Sequence, residues 1–556
     1  MCYSPQLGSG TKSYTQWRLF SASGKSRHLV KVASLMNRIR HDLSHRLIPL
    51  PACHACSRYD RRSVKLLQSS NTTSSLIRGM TTESQIRITA SFSVVAARKH
   101  VLYHHDTYHL GPLDQPVAAH IPVAAVFVYP AAKAGTIPAA SDTLRHATSL
   151  VLDYYPFLAG RLRLDPHDNS RSIGDLDAGA VYDDATCSRR LSDYEPAHPN
   201  RLTLAHLPAH GNALLRAFDP SDIDTQPILS IQHTRFACGG VSLGIRILHK
   251  VVDAIGYFMF ARHLLEMYAR LSDGREAVIG SPPSLSAYDP ARVLSPSGDR
   301  GDPHPAYFLN AGSVLTTSAD IGSPAPPKIT GRFLCSGVDA LERLKREAMA
   351  DRSPISTFVA LTSFLYQSVH RARLRLRQHD PSVGSLSPTH YLTSVNIRSL
   401  LRLDEYPHNG VITPNIAVQQ DALASGSLHT VASAIAGMIK VSLDEQAVER
   451  TARWISAQPD MAKLRSTFEY GTGAFMTSAW NRIDMYGPDY IVDGVSPMLV
   501  STPFTPISLV DGLAYFLPLP QGYDGLEICL ALDDRLWILL DADEEWKRVF
   551  GAHGQH

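Results

Sequence analysis

From Ile86 onward the chain alternates short β-branched stretches with amphipathic segments, whereas residues 1–83 carry no sustained periodicity. The run from Val123 to Val128 is short, continuously apolar and closed by Tyr129-Pro130, the pattern of a strand buried on both faces. Leu144, Ala147, Val151 and Tyr155 share one helical face, which predicts a helix capped by Ser141, running to Tyr155 and stopped by Pro156. Residues 227–237 and 241–248 read as two strands joined at Cys238-Gly239-Gly240, and residues 254–271 read as a helix ended by Asp273-Gly274. Further on, 338–350 and 355–373 are predicted helices, and 391–396 and 526–532 predicted strands.

Between 281 and 328 the sequence turns rich in Pro, Ser and Gly, which cannot continue a sheet and suits a surface crossing between domains. An α/β domain over 84–280, a crossover over 281–328 and a second α/β domain over 329–556 are therefore expected. With 556 residues, 44% of them hydrophobic and 19% charged, the chain can bury enough apolar surface to offset the entropy of ordering it.

The net charge of +3 hides an asymmetry. Residues 1–80 hold 13 Lys and Arg against two Asp, out of 54 basic and 51 acidic residues in the whole chain, so the body is mildly acidic. It offers no dense basic run for a phosphate backbone, and nucleic acid is not an expected partner. The first 83 residues read as a disordered basic extension, although their Ser- and Arg-rich composition is also that of a mitochondrial transit peptide. Seven cysteines in so long a chain do not form a disulfide framework, which points to a reducing, cytoplasmic setting. Cys53 and Cys56, with His41 and His45 nearby, are read as an incidental pairing in that extension, and no metal is expected. No apolar run approaches the roughly 18 residues that span a bilayer, so no membrane partner is expected either.

Two constellations could carry chemistry. His249 ends the predicted strand 241–248 and Asp253 begins the next helix, so the pair occupies a tight strand-to-helix connection, where sites are commonly built. Histidine suits a general base because its ordinary pKa is near neutrality, while Asp253 fits a helix N-cap that fixes the loop. The competing constellation is Gly240-Val241-Ser242-Leu243-Gly244, which matches the elbow of serine hydrolases. That elbow needs a helix directly after the serine, whereas Val241, Leu243, Ile245 and Ile247 alternate as a strand. No phosphate-binding loop occurs, since Gly471-Thr472-Gly473 lacks the third glycine of a dinucleotide fingerprint.

Read outward from His249, the surroundings resemble the BAHD acyltransferase family, and its fungal branch in particular. The resemblance is carried by Leu110-Gly111-Pro112-Leu113-Asp114-Gln115, by the strand ending Val126-Phe127-Val128-Tyr129-Pro130, and by Tyr154-Tyr155-Pro156-Phe157-Leu158-Ala159-Gly160-Arg161-Leu162. Pro227-Ile228-Leu229, Phe236-Ala237-Cys238-Gly239-Gly240 and Leu243-Gly244 then lead into His249 and Asp253, and the order agrees from about residue 86 to 550.

The resemblance implies an α/β fold of two similar-sized chloramphenicol acetyltransferase-like domains, each a mixed sheet with flanking helices, with a channel between them. It implies a monomeric enzyme of secondary metabolism with acyl-CoA as co-substrate, no bound cofactor, and a small-molecule alcohol or amine as acceptor. His249 would be the general base. Asp253 would pair with Arg398, in Val395-Asn396-Ile397-Arg398, and be structural. Ser478 and Trp480, in Ser478-Ala479-Trp480, would hold the tetrahedral oxyanion, and Asp489 would support the site. The family's second signature, Asp-Phe-Gly-Trp-Gly, is altered here to Asp489-Tyr490-Ile491-Val492-Asp493-Gly494, and the glycine after the catalytic aspartate is replaced by Ala254. A serine hydrolase using Ser242, or a binding protein without catalysis on the same fold, are the alternative readings.

Overall fold

The computed structural model describes residues 85–98, 107–132, 138–196, 201–283, 307–310, 327–349, 354–380 and 383–551. The basic extension, with Cys53 and Cys56, lies outside the described residues, as does most of the 281–328 crossover.

The molecule is built on two six-stranded mixed sheets. In the first, the order is Ile86–Val94, Ala180–Cys187, Leu229–Phe236, Val241–Leu248, Pro122–Tyr129 and Leu499–Ser501. All pairs are antiparallel except Ala180–Cys187 with Leu229–Phe236. Every residue of Val241–Leu248 is buried, because the strand is central and covered on both faces. Helices Ser141–Val151 and Ala254–Ser272 pack against each other in the same core.

The second sheet runs Ile329–Ser336, Leu526–Asp533, Leu513–Pro518, Phe475–Ala479, His390–Thr393 and Asn415–Ala417. Its core is organised around helix Thr357–His379, whose N-cap Ser356 accepts a bond from Val359 N–H. The two halves are not closed units of sequence. Strand Leu499–Ser501 crosses from the second half to complete the first sheet, pairing with Pro122–Tyr129. Within the expected crossover, Phe308–Asn310 is a strand paired with Leu464–Ser466.

Three expectations need correcting. Ser141 does not cap its helix: Ala140 holds the N-cap position, and the Ser141 hydroxyl bonds Asp184 and Tyr182 instead. That helix stops at Val151 rather than Tyr155, which precedes a proline and takes φ −128°, ψ 55°, outside the helical region. The single strand predicted over 391–396 is two, His390–Thr393 in the second sheet and Val395–Asn396 paired with Val411–Ile412. The chain leaves the sheet there to carry Arg398 toward the first half.

Candidate active site

His249 follows directly on the central strand, and its backbone N–H donates to Ile121 O at 2.8 Å, so it stays fixed beside the start of strand Pro122–Tyr129. A tight turn follows, with Val251 N–H bonded to Leu248 O at 2.9 Å and both Val251 and Val252 buried. Lys250, on the same turn, is buried and donates through Nζ to Gln115 O and Val117 O at 2.5 and 3.0 Å. Burial pulls its pKa down to about 7, partly offset by nearby Asp114. Helix Ala254–Ser272 then begins, with Asp253 as its N-cap accepting from Gly256 N–H at 2.9 Å.

The four acceptor positions of the Asp253 carboxylate are all taken. Oδ1 accepts from Gly256 N–H and Arg398 Nη2 (2.8 Å), and Oδ2 accepts from Gly410 N–H and Arg398 Nη1 (both 2.9 Å). Asp253 and Arg398 are buried, and Arg398 also bonds Tyr406 O and His408 O. A carboxylate satisfied in this way has no lone pair left for the imidazole, so its geometry is that of an anchor rather than a proton relay.

The segment that meets this loop, residues 406–410, was not singled out in the sequence, although Pro407, Asn409 and Gly410 are turn-forming residues. It approaches because residue 256 is glycine: a Cβ there would stand 1.9 Å from Pro407 O. His408 Nδ1–H donates to Val251 O at 2.9 Å, and its Nε2 accepts from Tyr108 O–H at 2.7 Å. Burial pushes the His408 pKa down to about 4, which keeps it neutral and suited to both bonds. Asn409 bonds Asp114 and the His249 carbonyl. Burial raises the Asp114 pKa to about 7, against the bonds it accepts from Asn409 and Gly111.

The His249 side chain is half-buried in the wall of a cavity of about 1190 Å³ lined by both halves of the molecule. Burial lowers its pKa, opposed by its own carbonyl, the charge of Asp253 and the Asn409 side chain. Ser478 and Trp480 line the same cavity. Trp480 Nε1–H donates to Ser478 Oγ at 3.0 Å, which leaves the serine hydroxyl hydrogen free to donate elsewhere. The indole is held edge-on by Phe258 and Tyr515, with ring centroids at 5.7 and 5.5 Å.

Asp489 is exposed on the turn Pro488–Tyr490, away from the cavity lining. The support expected of it comes from its neighbours. Tyr490 is buried, donates to Phe258 O at 3.1 Å and stacks on Phe127, while Asp493 accepts from Ala139 N–H and Tyr268 O–H. Ser242 sits within the central strand, opposite Val128 and Thr234, and not on the strand-to-helix turn a hydrolase elbow needs. It lies seven residues before His249, roughly 23 Å along an extended strand, and its buried hydroxyl has no hydrogen-bond partner among the described residues. No three His, Cys, Asp or Glu side chains gather in a metal-holding group, and no helix is long and apolar enough to cross a membrane, among the described residues.

Comparison with known proteins agrees with this architecture. The Transferase family profile matches residues 85–537. Hydroxycinnamoyl-CoA:piscidic acid hydroxycinnamoyltransferase of Actaea racemosa is 25% identical over 370 residues, covering 63% of this chain and 74% of that protein. O-acyltransferase pigD of Monascus ruber is 28% identical over 342 residues, covering 58% of this chain and 69% of that protein. The crystal structure of F. sporotrichioides TRI101 complexed with coenzyme A and T-2 superposes with a TM-score of 0.62 at 20% identity, covering 80% of this chain and 98% of that one, which shows a common fold. The chain is a member of the Transferase family, the BAHD acyltransferases, and has their two-domain fold.

Proposed function

We propose that the chain transfers an acyl group from a coenzyme A thioester to a hydroxyl or amine of a small molecule, with His249 as general base. The observation that carries this reading is the shared cavity. It places a histidine with lowered pKa, a serine hydroxyl free to donate and a fixed indole on one surface between the two halves.

His249 takes the proton from the acceptor O–H or N–H as its lone pair attacks the thioester carbonyl. The resulting oxyanion accepts the Ser478 hydroxyl, a donor placed before the reaction begins. Collapse breaks the carbon–sulfur bond, and the proton on His249 passes to the departing thiolate, giving free CoA and the acylated product. Asp253 and Arg398 do no chemistry and hold the loop that presents His249. Of the relatives named above, one is by name a transferase from hydroxycinnamoyl-CoA to piscidic acid and the other an O-acyltransferase, which supports a CoA thioester as donor and a small-molecule acceptor.

The test is to incubate the protein with acetyl-CoA and with a longer aromatic acyl-CoA, each against a panel of alcohols and amines, following free CoA thiol and acylated product by mass spectrometry. Thiol release that depends on the acceptor supports the reading. Thermal stabilisation by CoA without turnover would instead identify a binding protein on this fold; a ligand at about 100 times its Kd adds about 2.7 kcal/mol.

A further inference from the structure

Tyr515 stands next to the serine that the acyl-transfer reading assigns to the oxyanion. Strands Phe475–Ala479 and Leu513–Pro518 are parallel neighbours in which Ser478 pairs with Tyr515 and Met476 with Leu513. All four of these residues line the cavity, whereas the alternate pair turns the other way: Ala514 packs into the core of the second half and the Thr477 hydroxyl bonds that of Tyr391. The Tyr515 ring lies edge-on to Trp480, with centroids 5.5 Å apart. Its hydroxyl is hydrogen-bonded to no described residue, yet it is not one of the sealed, unpartnered oxygens of the interior, so it opens on the cavity. Burial pushes the Tyr515 pKa up to about 12, helped by the Cys529 thiol opposite it in the next strand, so the phenol keeps its proton and can donate it.

Position decides which substrate meets this hydroxyl. His249 is tied to one flank of the Ser478 strand: its carbonyl accepts from Asn409 Nδ2 at 3.0 Å, and Gly410 leads into Val411–Ile412, which pairs with the continuation of strand His390–Thr393. Tyr515 is on the other flank. An acceptor that gives its proton to His249 therefore reaches the Ser478-bound carbonyl from one side, and the donor extends past Tyr515 on the other. Of the donor's two arms, the CoA arm must run out to water. Tyr515 stands among the apolar side chains of Trp480, Met476 and Leu513, which suits the acyl arm. None of these neighbours is charged, so a neutral oxygen fits there and a carboxylate does not.

We propose that Tyr515 is a specificity-determining residue that donates its phenolic hydrogen to a neutral oxygen on the acyl group, so that the site selects CoA thioesters whose acyl chain carries a keto, ether or hydroxyl oxygen. Adjacent strands are about 4.8 Å apart. An oxygen a few bonds beyond the thioester carbonyl thus comes within reach of the phenol once that carbonyl meets Ser478. A plain hydrocarbon chain of the same length covers the hydroxyl without pairing it, and that loss is what discriminates. Acetyl is too short to make the contact.

This inference rests on the use of CoA thioesters as donors, and binding measured without acceptor separates the two ideas. Titration calorimetry of the full chain compares levulinoyl-CoA with isocaproyl-CoA, in which a methyl group replaces the keto oxygen. It also compares methoxybutanoyl-CoA with hexanoyl-CoA, in which a methylene replaces the ether oxygen, and includes free CoA. With a responding acceptor, kcat/KM gives the same ratios during turnover. The wild type is expected to favour the oxygenated member of each pair about five- to tenfold. Tyr515→Phe, which keeps the ring against Trp480, is expected to bring both ratios close to one. No preference in the wild type, or a preference that Tyr515→Phe retains, overturns the proposal. So does a uniform loss across the thioesters and free CoA, which would assign the hydroxyl to the CoA arm, and so does a change confined to the acceptor's KM. If no CoA thioester binds the wild type, the acyl-transfer reading itself fails and the proposal falls with it.

Discussion

Asp253 and Arg398 lie 145 residues apart in the chain and meet in two parallel bonds of 2.9 and 2.8 Å, both side chains almost wholly removed from solvent. The pair ties the turn that carries His249 to the segment that delivers Asn409 and Gly410. Breaking it by Arg398→Met leaves a buried carboxylate with two backbone donors, at a cost of about 3–5 kcal/mol. The double variant Asp253→Asn/Arg398→Met should recover a large part of that loss. Urea unfolding of the four proteins gives the coupling directly, and additive losses would mean that the ion pair is not what joins the halves.

Ser478 and Trp480 act together in this geometry. Ser478→Ala removes the hydroxyl proposed to donate to the oxyanion and should lower kcat by roughly 100- to 1,000-fold, with a smaller change in KM. Trp480→Phe keeps the packing against Phe258 and Tyr515 but loses the bond to Ser478. Its effect should be the milder of the two, and steady-state kinetics of both variants would check the order.

The pH dependence has two parts with separate signs. A base is active when unprotonated, and burial lowers the His249 pKa, so the acid limb of kcat/KM should fall below pH 6.5, the ordinary imidazole value. For stability, His408 has a folded pKa depressed to about 4. The unfolded chain therefore binds the extra proton first, and the contribution present above about pH 6.5 is lost as pH falls toward 4. Asp114, raised to about 7, works in the opposite direction, so the useful quantity is a difference. The stability gap between wild type and His408→Gln, from chemical denaturation at several pH values, should narrow over that window.

Gly256 and Gly437 give opposite outcomes for one substitution. Gly256→Ala drives a methyl group into Pro407 O and should separate the helix start from the segment carrying Asn409, lowering both stability and turnover. Gly437 is exposed within helix Leu428–Ser442 with nothing near its Cβ position. Gly437→Ala should raise stability by about 0.5–1 kcal/mol and leave turnover alone. Melting curves and initial rates of the two variants test this.

What the sequence made readable followed from periodicity. The central strand and the helix after it stand out because Val241, Leu243, Ile245 and Ile247 alternate on one face of the strand and Asp253 caps the start of the helix, and both form at nearly the predicted bounds. The meeting of Asp253 with Arg398 came through family resemblance, since spacing alone cannot point to a residue so distant. Asn409, Asp114, His408 and Tyr108 were not marked as site residues, because their contacts depend on how closely two segments approach, and that is set by a missing Cβ at Gly256. The strand over 391–396 was read as one because local preference cannot show that the chain changes partners after Thr393. The expectation for Asp489 rests on resemblance to the family's second signature, whereas the side chains that tie its segment to the core are Tyr490 and Asp493.

The most direct measurement compares acylated product formed from acetyl-CoA and a responding acceptor by wild type, His249→Ala and Ser242→Ala. The wild type should turn over, His249→Ala should be slower by roughly 100- to 10,000-fold, and Ser242→Ala should match the wild type, because its hydroxyl is buried in the sheet. Undiminished product from His249→Ala would contradict the assignment of His249 as the base.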